Sequence, residues 1–154
     1  MSKPSPHRVR RRPGWFRPVP LRSRRDGWSE LRQCAFLVQL YLTGSATAAA
    51  KAAGMSRASA YRLREHEGAE SFAFAWDRVL LLPGLGHPGG APEDMRKVTN
   101  ATLLARLESD LVQPVIYRGK MTHIRRKSDD SALFRLLRRT KSWPDEPADP
   151  GLAW

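Results

Sequence analysis

The sequence is poor in cysteine and has no long apolar run. Its single cysteine, Cys34, cannot form an intramolecular disulfide, and a four-ligand zinc site has no cysteine pair to start from. A reducing cytoplasm is the expected compartment. No apolar stretch approaches the roughly 18–20 residues that span a bilayer, and the N-terminus lacks the apolar segment of a secretory signal, so no membrane partner is expected. Acids are scarce too: 15 Asp and Glu stand against 27 Lys and Arg, a formal net charge of +12 in 154 residues. That balance points to a polyanionic partner. A chain of this length holds one modest domain or two very small ones, which excludes a large multidomain enzyme. With 12 Pro and 11 Gly beside a 41% hydrophobic fraction, the expectation is a folded middle with loose ends.

The charge is concentrated at one end. Residues 1–25 hold nine Lys and Arg, five prolines and no acid, and 1–26 is expected to be a disordered basic arm. The alternative for such a run is a solubilising segment. Ser29 then caps a helix with Phe36, Leu37, Leu40 and Tyr41 at helical spacing before Gly44 stops it. A short alanine-rich helix follows from about Ala46 to Ala53, and Gly54 breaks it. Ser56 caps a third helix, Arg57 to about His66. A fourth, Ala69 to Leu82, carries Phe72, Ala75, Trp76, Val79 and Leu80 as an apolar stripe, with Trp76 expected in the core.

Residues 83–92 read PGLGHPGGAP, a Gly/Pro hinge that closes a domain at 27–82. Beyond it, 93–141 is expected to form one packing or oligomerisation segment. Its parts are a helix from Glu93 to about Leu111, a short β-hairpin turning at Arg118-Gly119, and a last helix capped by Ser128 or Asp129. An apolar face on this segment implies packing on the first domain or self-association as a homo-oligomer. The tail, 142–154, places Trp143 and Trp154 among prolines and the acids Asp145, Glu146 and Asp149. It is expected to be disordered, with docking on another protein as its functional alternative.

Ala46 to Glu65, ATAAAKAAGMSRASAYRLRE, resembles the helix-turn-helix DNA-binding family. In that family a small residue stands at the fifth position, Gly at the ninth, and apolar residues at the fourth, eighth, tenth, fifteenth and eighteenth. Ala50, Gly54, Ala49, Ala53, Met55, Ala60 and Leu63 occupy them here. A small residue at the crossing lets two helices approach, and glycine allows the left-handed turn. Ala60 is smaller than the usual branched aliphatic, so the local core is expected to lean on Tyr41, Phe36 or Trp76.

Met55 to Leu63 is similar to the recognition helix of homeodomain-like bacterial proteins. That resemblance implies that the helix enters the major groove of double-stranded DNA, presenting Ser56, Arg57, Ser59, Tyr61 and Arg62. Arg57 is the first candidate for a guanine edge, while Arg62, Arg64 and Lys51 would hold phosphates. Arg8, Arg10, Arg11 and Arg12 in the arm would reach an adjacent minor groove. A wider pattern, from Trp28-Ser29 through Thr43-Gly44 to Trp76-Asp77 and the later Tyr117-Arg118-Gly119, resembles small phage and bacterial proteins related to terminase small subunits. That resemblance implies a cytoplasmic role in viral genome packaging, at the bacterial nucleoid or in an infected cell, with the large terminase subunit as a partner.

Two alternatives stay open: a repressor-like transcriptional regulator, and a basic interaction protein that binds RNA or acidic partners. No catalytic residues, metal ligands or cofactors are expected. The doublets Glu93-Asp94 and Asp129-Asp130 sit where acids favour a helix N-terminus, and the four histidines have no ligand spacing. The fold expectation is therefore mainly α: a three- to four-helix domain, then helix, hairpin and helix.

Overall fold

The computed structural model describes residues 5–21, 25–83 and 98–140. It divides into two compact units, one formed by Met1–Pro92 with Leu111–Lys127, the other by Glu93–Asp110 with Ser128–Trp154. The fold is mainly helical with one two-stranded antiparallel sheet.

The first unit is built around α2 (Glu30–Thr43). The Ser29 hydroxyl accepts from the Arg32 N–H at its start, and Gly44, with φ +71°, ends it in the left-handed conformation that a side chain disfavours. Gln33, Cys34, Phe36, Leu37, Val38, Leu40 and Tyr41 are all buried, which covers most of the helix circumference rather than one stripe. α2 can be buried this way because other elements pack against it: α3 (Ala46–Ala52), α1 (Pro6–Val9), α5 (Glu70–Val79), and the hairpin of β1 (Leu111–Tyr117) and β2 (Lys120–Lys127). α4 (Arg57–Arg64) packs on α3 and α5. Phe36 meets Trp76 at a centroid distance of 4.7 Å, with Phe72, Phe16 and Trp28 in the same aromatic cluster. Trp76 is in the core, and α5 stops at Val79 rather than running to Leu82. Leu80 and Leu82 are exposed there, and Pro83 disfavours helical backbone in the residue before it.

The largest correction concerns the N-terminal arm. Residues 5–21 are an ordered strap, not a loose tail. Phe16 is 1% exposed and Val19 3%, both in the core. Phe16 and Val112 exchange backbone hydrogen bonds of 2.9 Å in each direction, so the strap lies antiparallel beside β1. Buried Gln33 completes the attachment: its Oε1 accepts from the Val19 N–H at 2.8 Å, and its Nε2 donates to the Val19 and Trp28 carbonyls. Five prolines and the basic run suggest disorder by composition, yet the apolar residues between them have a groove to fill.

A second correction follows from the hairpin. The sequence groups it with 93–141, but it belongs to the first unit, because Val112 and Pro114 are buried and Ile116, Met121 and Ile124 pack against that unit's core. β1 begins earlier than expected and runs through Pro114. Val112 turns its N–H toward the strap, so Pro114, two residues on, turns its ring nitrogen the same way and removes no bond to β2. Arg118 (φ +50°) and Gly119 (φ +74°) make the two-residue turn, whose positive φ at both positions suits the strand twist.

In the second unit α6 (Asn100–Glu108) and α7 (Asp130–Thr140) pack together, burying Leu103 and Ala132. Arg139, near the end of α7, donates to Asn100 at the start of α6 at 3.0 Å, so the pair is antiparallel. The Thr99 hydroxyl caps α6, and the Asp129 carboxylate accepts from the Ala132 N–H at the start of α7. The helix expected from Glu93 to about Leu111 is corrected at both ends: Val98 and Thr99 are not helical, α6 begins at Asn100 and stops at Glu108, and Leu111 opens β1. Residues 84–97, with most of the hinge, 1–4 and 22–24 of the basic arm, and the tail 142–154 with Lys141 lie outside the described residues.

Candidate nucleic-acid interface

α3 and α4 are joined by a tight turn whose bonding follows from the sequence. The Met55 N–H donates to the Ala50 carbonyl at 2.9 Å and the Gly54 N–H to the Lys51 carbonyl at 3.0 Å, the pair of hydrogen bonds that ends a helix on a left-handed residue. Gly54 supplies that residue with φ +76°. Ala49 and Ala50 have no exposed surface, so the α3 backbone lies close against its neighbours. Ser56 then starts α4, its hydroxyl accepting from the Ser59 N–H at 3.1 Å.

Ala60 and Leu63 turn inward on α4, and Ser56, Arg57, Tyr61 and Arg62 turn outward. Tyr61 is 41% exposed; one side of its ring meets Trp76 at 5.1 Å, and the Arg57 guanidinium lies 5.4 Å from its centroid. Lys51 is exposed on α3. Two expected contacts are directed elsewhere. The Ser59 hydroxyl accepts from the Trp28 indole at 2.9 Å. Arg64 pairs with Asp77 at 2.8 Å and covers the Trp76 ring, which locks α4 onto α5.

The strap arginines divide in the same way. Arg10 donates from Nε to the Tyr41 carbonyl and from Nη2 to the Leu42 carbonyl at 3.1 Å, satisfying oxygens that the end of α2 leaves free. Arg11 donates its backbone N–H to the Val79 carbonyl at the end of α5 and its Nε to the Leu82 carbonyl three residues beyond. Arg8 and Arg12 are exposed. The expected minor-groove reach of all four arginines is thus corrected for Arg10 and Arg11, because the Arg10 side chain is held by carbonyls at the end of α2 and the Arg11 side chain by the Leu82 carbonyl beyond α5.

The chain matches no family model, no curated protein and no solved structure. Among the described residues no three His, Cys, Asp or Glu side chains come together as a metal site, and no helix is long and apolar enough to cross a membrane. Cys34 is wholly buried. Desolvation, with Glu30 adding and Arg126 opposing, pushes its thiol up to about 12, so it stays protonated and unreactive at neutral pH.

The hairpin, expected as a fold element, also carries cations that the sequence did not mark as an interface. Residues 111–127 contain five Lys and Arg and no acid. Trp15 of the strap lies under two of them, with Arg125 5.7 Å and Lys127 4.6 Å from its ring. The absence of acid over seventeen residues was the available signal; the larger run at the N-terminus obscured it.

Proposed function

We propose that this chain binds double-stranded DNA through α3, the Gly54 turn and α4, acting as a helix-turn-helix with α4 as the reading element. One observation carries the proposal: a serine-capped α4, buried through Ala60 and Leu63, turns Ser56, Arg57, Tyr61 and Arg62 together to solvent. Arg57 is the base reader, since its planar fork can pair with guanine N7 and O6, and Lys51 and Arg62 hold phosphates. The role is binding without catalysis. The biological setting we propose is that of a small terminase-like DNA recognition protein, working beside a large subunit. Self-association would run through α6 and α7, where Leu104, Leu133, Phe134 and Leu137 remain exposed.

Selection of duplexes from a random pool by the full chain, followed by anisotropy titration, tests the binding claim. An enriched sequence bound more tightly than heparin or single-stranded RNA is expected; equal affinity for all three would replace it with a general polyanion binder. Light scattering after nuclease treatment tests the setting. A many-subunit assembly fits packaging, whereas a monomer or dimer turns the setting to transcriptional regulation with half-sites about one helical turn apart.

A further inference from the structure

We propose that the solvent face of the strap and hairpin is a second DNA-binding surface, one that holds the phosphate backbone of a duplex without reading its bases. The proposal rests on the reading of α4 for its choice of polymer and on separate residues for its surface.

The strand register defines this face. Val112, Pro114, Ile116, Met121 and Ile124 point toward α2, so the alternate positions Val115, Tyr117, Lys120, His123, Arg125 and Lys127 point away. An extra residue on β2 between the pairs Val115↔His123 and Ile116↔Met121 keeps Lys120 on the outer face with the others. His123, Arg125 and Lys127, two apart on one strand, are spaced about 6.6 Å from one another. Arg118 extends the row at the turn, 5.3 Å from the Tyr117 ring.

Three features give this face its chemistry. It has no acid of its own, so the cations are not neutralised within the sheet. Trp15 holds Arg125 and Lys127 over its ring, which limits the side-chain freedom lost when they bind. The same stacking covers the indole, so the ring is not open as a platform for an unstacked base. A duplex, which offers charge at regular intervals and keeps its bases inside, fits better than a single strand. The bonds between Phe16 and Val112 join the strap to β1, and those between Gln33 and Val19 join it to α2, so this face is anchored on the core of the first unit.

Lysine acetylation of the full chain, read by mass spectrometry with and without one short duplex, tests this without any substitution. Protection of Lys120, Lys127 and Lys51 is expected. Protection of Lys51 alone overturns the second surface and leaves the α4 reading standing. Protection of Lys120 and Lys127 alone supports the second surface and overturns the α4 reading.

The double variant Arg125→Gln/Lys127→Gln, shown to melt cooperatively, supplies an independent measure. Removing two phosphate contacts should flatten the plot of log affinity against log salt by about two units and weaken binding on the order of tenfold, equally for preferred and scrambled duplexes. An unchanged slope, or a loss confined to the preferred duplex, overturns the proposal.

Discussion

Arg10 and Arg57 belong to one compact unit, yet Arg10 ends on carbonyl oxygens at the close of α2 while Arg57 lies over Tyr61 on the outer side of α4. The strap as a whole follows the first pattern. Its side chains fill the core and satisfy helix ends, and only some of its charges, such as Arg8 and Arg12, face solvent. α4 follows the second, since its inward residues are only Ala60 and Leu63, with Ser59 half-buried, and its cations remain outside apart from the Arg64 tie to Asp77 and one long, exposed 3.4 Å bond from Arg62 Nε to the Ala58 carbonyl. The difference teaches that a run of positive charge does not by itself mark an interface. What matters is whether backbone oxygens or acids already hold each guanidinium.

If the strap is structural, damage to it should appear in stability and damage to α4 in binding. Phe16→Ala should show the largest effect, a loss of about 3–5 kcal/mol in urea unfolding, because the ring is fully enclosed against Phe72 and Val112. A disordered arm would give no change. Gln33→Leu should cost about 1–3 kcal/mol, since it leaves the Val19 N–H and the Val19 and Trp28 carbonyls without their partner.

Two glycines sharpen the contrast further. Gly54→Ala, with open space around the added carbon, should lose only about 1–2 kcal/mol from its left-handed backbone. Gly44→Ala should lose more, because the same strain comes with a carbon 2.7 Å from the Arg10 guanidinium. Equal losses in thermal melts would mean that Arg10 does not brace α2.

The smallest effect belongs to Cys34. Native protein at pH 8 should leave the thiol unlabelled by a disulfide reagent, with full labelling in urea. Because folding raises this pKa from 9.0 to about 12, its contribution to stability is intact below pH 9 and declines as the pH rises from 9 toward 12. Fast native labelling would place Cys34 outside the core.

The sequence made the helices from Ser29 to Arg64 readable because all but one of their boundaries have a local cause, a serine whose side chain bonds three residues on or a glycine in left-handed backbone; the end of α4, at Glu65 in right-handed backbone, has neither. It did not make the strap readable. Trp15, Phe16 and Val19 are the residues that bind it, but their groove is formed by α2, α5 and a hairpin nearly a hundred residues away, a non-local cause that composition does not register. The hairpin was legible as a hairpin through Arg118-Gly119 and illegible as part of the first unit, since its inward face has meaning only against α2. On α4 the outward set Ser56, Arg57, Tyr61 and Arg62 came with the helix-turn-helix resemblance, which also placed Ser59 among them. The engagement of Arg64 and Ser59 depended on Asp77 and Trp28, which spacing within α4 does not reveal.

One paired titration separates reading of DNA by α4 from support of the fold by the strap. Arg57→Ala and Arg10→Ala, each confirmed folded, are titrated against the selected duplex and a scrambled one at fixed salt. Arg57→Ala is expected to lose about 1–3 kcal/mol of discrimination between the two duplexes, and Arg10→Ala to keep it while melting at lower temperature. Full discrimination in Arg57→Ala, or its loss in Arg10→Ala with unchanged stability, would contradict the assignment of reading to α4 and of support to the strap.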